Sequence, residues 1–186
     1  MKALIWIGVL LVILLVIGGI LGGMYNSLVT KEQAIEAQWA NVETQYQRRY
    51  DLIPNLVESV KGYMTQEKTI FDNLAEARSR YAGATTTDEK AVASGEVEVA
   101  LARLLAIMEN YPVLRSVEVV TNLMDELAGT ENRISVERRS YNDKVRDYNT
   151  AIKTFPRNML ASMFGFTAHE YFESVSGADQ VPKVEF

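Results

Sequence analysis

Glu67, Glu109 and Glu131, together with Arg49, Arg78 and Arg138, are the side chains best placed for chemistry, because each falls at or near an apolar seam of a helical repeat. A carboxylate in such a place must find a partner or stay protonated, since an unpaired buried charge is costly. Two chemistries fit: an ion-pair network that fixes helix register, and a carboxylate metal site of the bundle type. The second uses Glu-x-x-His pairs, and the sequence contains none. The register network is therefore the favoured reading, with no metal and no cofactor expected. His169 is the single histidine, has no nucleophile or second ligand near it in sequence, and is expected on the surface. Absence of Cys excludes disulfides, zinc thiolates and thiol catalysis. Tyr141-Asn142 and Tyr148-Asn149 recur seven residues apart, which suits rings packed on one helix face with hydroxyls reaching polar partners. No G-x-S-x-G, P-loop or dinucleotide fingerprint is present. The chain reads as noncatalytic.

The elements that position these groups follow from the charge distribution. Of 186 residues, 48% are hydrophobic, and 19 basic against 24 acidic side chains give a net charge of −5. That balance argues against nucleic acid as a partner, because counterion release needs a basic footprint. Residues 3–24, ALIWIGVLLVILLVIGGILGGM, carry no charge. As a helix they reach ~33 Å, enough to cross about 30 Å of hydrocarbon. A cleaved signal peptide is the rival, but its apolar core is shorter and ends in a small-x-small site. The reading is a single-pass, uncleaved membrane anchor. Lys2 and the amino terminus precede the span and only Lys31 follows within twenty residues; the positive-inside rule then leans toward an extracytoplasmic soluble part. Gly18 with Gly22, and Gly19 with Gly23, form two overlapping GxxxG pairs. Such pairs let a second helix approach closely, and homo-oligomerisation is expected, although glycine is also simply frequent in membrane helices.

Beyond the span the pattern is helical. Ile35, Trp39, Val42 and Tyr46 step by four and three, and Leu56, Val60, Tyr63, Glu67, Ile70, Leu74, Ala77 and Tyr81 keep that step. A third helix is predicted over 88–110, burying Val92, Val99, Leu101, Leu104, Leu105 and Met108, with Thr87 or Asp88 as its N-cap. A fourth over 116–154 uses Val120, Leu123, Leu127, Ile134, Tyr141, Val145, Tyr148 and Ile152, and stops before Phe155-Pro156. Pro54 is favoured as the first turn of the second helix, with 51–53 as a hairpin turn. The alternative is one long kinked helix, because the heptad register passes through Pro54 unbroken. The expected fold is all-α: an anchor (1–24), an antiparallel up-down-up-down four-helix bundle (25–156), then a short apolar helix and C-terminal tail (157–186). Met159, Leu160, Met163, Phe164 and Phe166 form a compact apolar face. Sealing the end of its own bundle is its favoured role, with docking on lipid or a membrane protein as the alternative. The stretch 174–186 is expected along the surface or disordered.

The motifs YNSLV (25–29), QWANVETQYQRRYDLIPNLVESVKGY (38–63), AR (77–78), ENYP (109–112), GTENRI (129–134), YN-x5-YN (141–149), FP (155–156), GF (165–166) and YF (171–172) make the chain resemble the LemA family nearly end to end. The resemblance implies an N-terminal membrane helix before a helical bundle, a loose association with the bacterial envelope that makes the expected location a single pass of the bacterial cytoplasmic (inner) membrane, and no established molecular activity. It also implies, in some relatives, an amino terminus outside, against the charge count. Two departures stand out: Met64-Thr65-Gln66-Glu67 where relatives often read Ala-x-His-Glu, and Ala37-Gln38-Trp39 where they often read Ala-Trp. The functional expectation is a noncatalytic, oligomeric envelope scaffold or membrane-organising module. An accessory regulator of a membrane enzyme or protease is the alternative, and a hydrolase using Glu67 or Glu131 a remote one.

Overall fold

A computed structural model describes residues 2–172, and the stretch 174–186 considered above lies outside them. The described residues are helical, without strands: α1 (Lys2–Lys61), α2 (Lys68–Gly83), α3 (Thr87–Met108), a 3-10 turn at Pro112–Ser116, α4 (Glu118–Lys153) and α5 (Arg157–Phe164). The all-α class is as expected, and so is the long apolar N-terminal helix.

The favoured hairpin at Pro54 is not formed. Pro54 lies inside α1, which runs unbroken from the apolar N-terminus to Lys61. An interior proline forfeits one backbone hydrogen bond and costs ~3 kcal/mol. Against this, Ile53, Leu56 and Val60 are each 0% exposed, and burying such side chains is worth ~1.5–3 kcal/mol apiece. A turn at 51–53 would take Ile53 off that face, so the seam outweighs the proline. The chain reverses only after Lys61, where the amides of Tyr63 and Met64 both donate to the Val60 carbonyl, at 2.9 and 3.1 Å. Met64 then fills the buried position expected of Tyr63, which is half exposed.

α3 begins one residue earlier than predicted and is capped by Thr86. The Thr86 hydroxyl accepts from the Glu89 amide at 3.2 Å, and the Glu89 carboxylate accepts from the Thr86 amide at 3.2 Å, a reciprocal capping box. Its buried stripe is Ala93, Ser94, Val97, Ala100, Leu101, Leu104 and Met108. Val92 and Val99, expected inside, are 68% and 44% exposed. The small Ala and Ser side chains face inward instead, which is what lets α3 come close to its neighbours. The other seams largely match: Ile35, Val42, Tyr46, Leu74, Ala77, Tyr81, Val120, Leu127, Ile134, Tyr141, Val145, Tyr148 and Ile152 are buried.

By compactness the chain divides into two units. One comprises α1 up to Ala40 with Arg139–Tyr171; the other is Asn41–Arg138. In the second, the distal part of α1, α2, α3 and the first half of α4 surround a common core that includes Val42, Tyr46, Ile53, Leu56, Leu74, Val97, Leu104 and Ile134.

Candidate functional site

Within the second unit the heptad seam of α1 presents a charge where an apolar residue would continue it. Arg49 is only 2% exposed, seven residues after Val42 and four before Ile53. Its guanidinium donates to Glu131 Oε2 at 2.9 Å from α4, and to the Ser94 carbonyl and hydroxyl at 3.0 and 2.5 Å from α3. Glu98, one turn after Ser94, lies 3.8 Å away. Arg138 Nε donates to the Tyr46 hydroxyl at 2.9 Å, while its terminal nitrogens reach Glu98 at 3.4–3.5 Å. The Tyr46 ring thus has Arg49 at 5.6 Å and Arg138 at 5.3 Å from its centroid, within the range of cation–π attraction. These contacts join α1, α3 and α4 at one level.

Of the six residues singled out in sequence, Arg49, Glu131 and Arg138 meet in this cluster. Arg78 joins it indirectly: its guanidinium lies 4.2 Å from the centre of the Tyr50 ring, Tyr50 packs on Tyr81 at 5.8 Å, and Tyr81 on Tyr46 at 6.0 Å. Glu67 stands apart at the α1–α2 reversal, accepting from the Tyr111 hydroxyl at 3.3 Å. Glu109 is exposed. Sequence reasoning missed Tyr46, Ser94 and Glu98 as polar participants. Ser94 and Glu98 are four apart on one helix face, the signal that would have found them.

The cluster has the electrostatics of a structural knot. Burial, followed by Glu43 and Tyr46, pushes the Tyr81 phenol up to about 12 despite the opposing charge of Arg49. For Arg138, burial works against the charge, and Tyr46, Glu98 and Glu131 outweigh it, holding the guanidinium above its ordinary range. The space between Tyr46, Arg49, Tyr50, Tyr81, Ser94 and Val97 is about 10 Å³, room for one water-sized molecule at most and for no organic substrate. Among the described residues no three His, Asp or Glu side chains are grouped as a metal site.

The first unit carries a different feature. α5 turns its Leu160 and Ala161 inward, at 6% and 3% exposure, and of the apolar set singled out in sequence only Leu160 is buried. Met159, Met163 and Phe164 remain 65%, 68% and 54% exposed. Gly165 ends α5 in the left-handed region at φ 77°, and the Phe166 amide donates back to the Ala161 carbonyl at 3.0 Å. This bend brings Phe166 to 5.7 Å from the Tyr25 ring, with Phe164 at 4.9 Å. Tyr25 is the first residue after the uncharged stretch 3–24. Past the bend, Asn149 clamps the returning chain, donating to the His169 carbonyl at 2.9 Å and accepting from its amide at 3.0 Å. His169 is consequently half-buried and not free on the surface: its ring packs edge-on to Tyr148 at 5.2 Å and its Nε2 lies 3.8 Å from Glu32. Burial, then Glu32, pushes the Tyr148 phenol up to about 12.

The uncharged part of α1 is long and apolar enough to cross a membrane, and Ile5 to Leu21 stand exposed along it. Added Cβ atoms at Gly18, Gly19, Gly22 and Gly23 would meet nothing within 4 Å; both glycine faces are open. Magnetosome proteins MamQ 1 and MamQ 2 of Paramagnetospirillum magneticum are each 30% identical to this chain over 181 residues, as is MamQ of Magnetospirillum gryphiswaldense. These matches cover 83% of this chain and 66% of each relative, so the chain spans less than two thirds of their length. The LemA family profile matches residues 38–186, through the α1 seam, the Arg49 knot and the α5 bend. An all-helical chain with one apolar N-terminal helix, matched over most of its length, belongs to the LemA family.

Proposed function

We propose that this protein is a noncatalytic, membrane-anchored envelope protein that works as an oligomeric scaffold. The observation that carries the reading is the uncharged stretch 3–24, exposed from Ile5 to Leu21 and part of the same helix as Arg49. The open Gly18/Gly22 and Gly19/Gly23 faces offer a second copy close backbone approach, where dispersion substitutes for the hydrophobic drive absent in lipid. The soluble part is read as an antiparallel bundle, its helices joined by the links 62–67, 84–86 and 109–117, on the extracytoplasmic side of the cytoplasmic membrane.

The test is the mass of the full chain in mild detergent, read by light scattering after size exclusion. An oligomer that falls to monomer in Gly18→Leu/Gly22→Leu is the expected result; a monomeric wild type sinks the oligomer. Release of the wild type into the soluble fraction on carbonate extraction sinks the anchor itself.

A further inference from the structure

We propose that the exposed side of α5 is a second membrane contact, lying in the interfacial layer of the bilayer that α1 enters. Within α5, Met159, Met163 and Phe164 fall at helical steps of four and one, and all are more than half exposed; Phe155, also exposed, lies in the turn before the helix. Short apolar helices of a soluble domain turn such residues inward; here only Leu160 and Ala161 do so. What covers the remainder is indicated by Tyr25. With residues 3–24 in the hydrocarbon, Tyr25 sits at the headgroup boundary, the level at which Tyr and Trp concentrate in membrane helices. Phe164 and Phe166 contact that same ring at 4.9 and 5.7 Å. The α5 face is therefore held at the depth of the boundary by a contact inside one compact unit, anchored by the Gly165 bend and the Asn149–His169 clamp. The exposed Lys153 precedes it, where a long basic side chain lays its apolar stem along lipid and carries its charge to the phosphates. A span alone leaves its helix free to rotate about its axis. A second contact to one side fixes that rotation, and with it the direction in which the glycine faces point.

This inference rests on the reading of α1 as a membrane anchor, and the experiment separates the two. The chain has no Cys, so single nitroxide-labelled sites are unambiguous. Full-length protein carrying Leu14→Cys, Gln33→Cys or Met163→Cys is reconstituted into vesicles of phosphatidylcholine with phosphatidylglycerol. Collision with oxygen, which favours lipid, and with a water-soluble nickel chelate is read at each site. Leu14 lies in the span; Gln33 is an exposed α1 residue ~13 Å beyond Met24. The expected result is loss of nickel accessibility at position 163 toward the level of position 14, with high oxygen accessibility and position 33 open to nickel. Nickel access at 163 equal to that at 33, with 14 protected, overturns the α5 contact and leaves the anchor standing. Nickel access at 14 overturns the anchor. Protection of 163 from both probes also overturns the lipid contact, because a protein surface then covers it.

Discussion

Removing Glu131 should cost this protein more than removing the buried arginine it neutralises. Arg49 is 2% exposed, whereas Glu131 is 43% and Glu98 35% exposed. In Glu131→Ala the guanidinium stays buried, keeps Ser94, and has its nearest remaining carboxylate at 3.8 Å. A hydrogen bond to a charged group contributes about 1.5–3 kcal/mol. Solvent reaching the Glu131 side screens part of it, which places the loss at about 2 kcal/mol. In Arg49→Met the charge leaves the core, a flexible apolar chain fills its volume, and both carboxylates turn to water or to Arg138. The carboxylates are a third or more exposed and rehydrate, and the Ser94 hydroxyl turns to a carbonyl one turn back on α3, so this loss should stay at about 1 kcal/mol. Thermal melts of the full chain in detergent, followed at the helical circular dichroism band, read both. With about 2–4 °C per kcal/mol for a domain of this size, Glu131→Ala should lower Tm by about 4–8 °C, and Arg49→Met by less than about 4 °C. The double variant should melt near Arg49→Met, because Glu131 has nothing left to neutralise. A larger drop for Arg49→Met than for Glu131→Ala would refute the charge argument and assign Arg49 a role in packing.

Two further outcomes follow from the geometry. Pro54→Ala should raise Tm, by up to the ~3 kcal/mol that an interior proline costs, because it restores an amide donor inside α1; a lower Tm would mean the proline begins a helix after all. Raising the pH should destabilise the fold between about 10 and 12. Tyr81 and Tyr148 have folded pKa values pushed up to about 12 from an ordinary 10, so the folded state holds their protons more tightly and their contribution, complete below pH 10, is lost as pH rises to 12. Tyr81→Phe and Tyr148→Phe should each shift the alkaline unfolding midpoint upward, and difference absorbance at 295 nm should place both ionisations near the top of that window. Titration of either near its ordinary value removes the prediction.

The sequence by itself determined the class, the apolar N-terminal helix and the family. Residues 3–24 carry no charge and, as a helix, are long and apolar enough to cross a membrane, and a three–four repeat commits the rest to helices. It also marked Arg49, Arg138 and Glu131, because a charge on an apolar seam is conspicuous without coordinates. It did not determine where α1 ends. Local rules at Pro54 favour a break, and only the burial of Ile53, Leu56 and Val60 against other helices reverses that balance. Nor did it determine which side of α3 faces inward. Val92 and Val99 are more apolar than Ala93 and Ala100, but close helix approach selects the smaller side chains. Which carboxylate answers Arg49, and that the Gly165 bend returns Phe166 to Tyr25, join residues 82 and 141 positions apart along the chain. Periodicity records the face a residue occupies on its own helix, while the partner across the gap is set by how the helices pack.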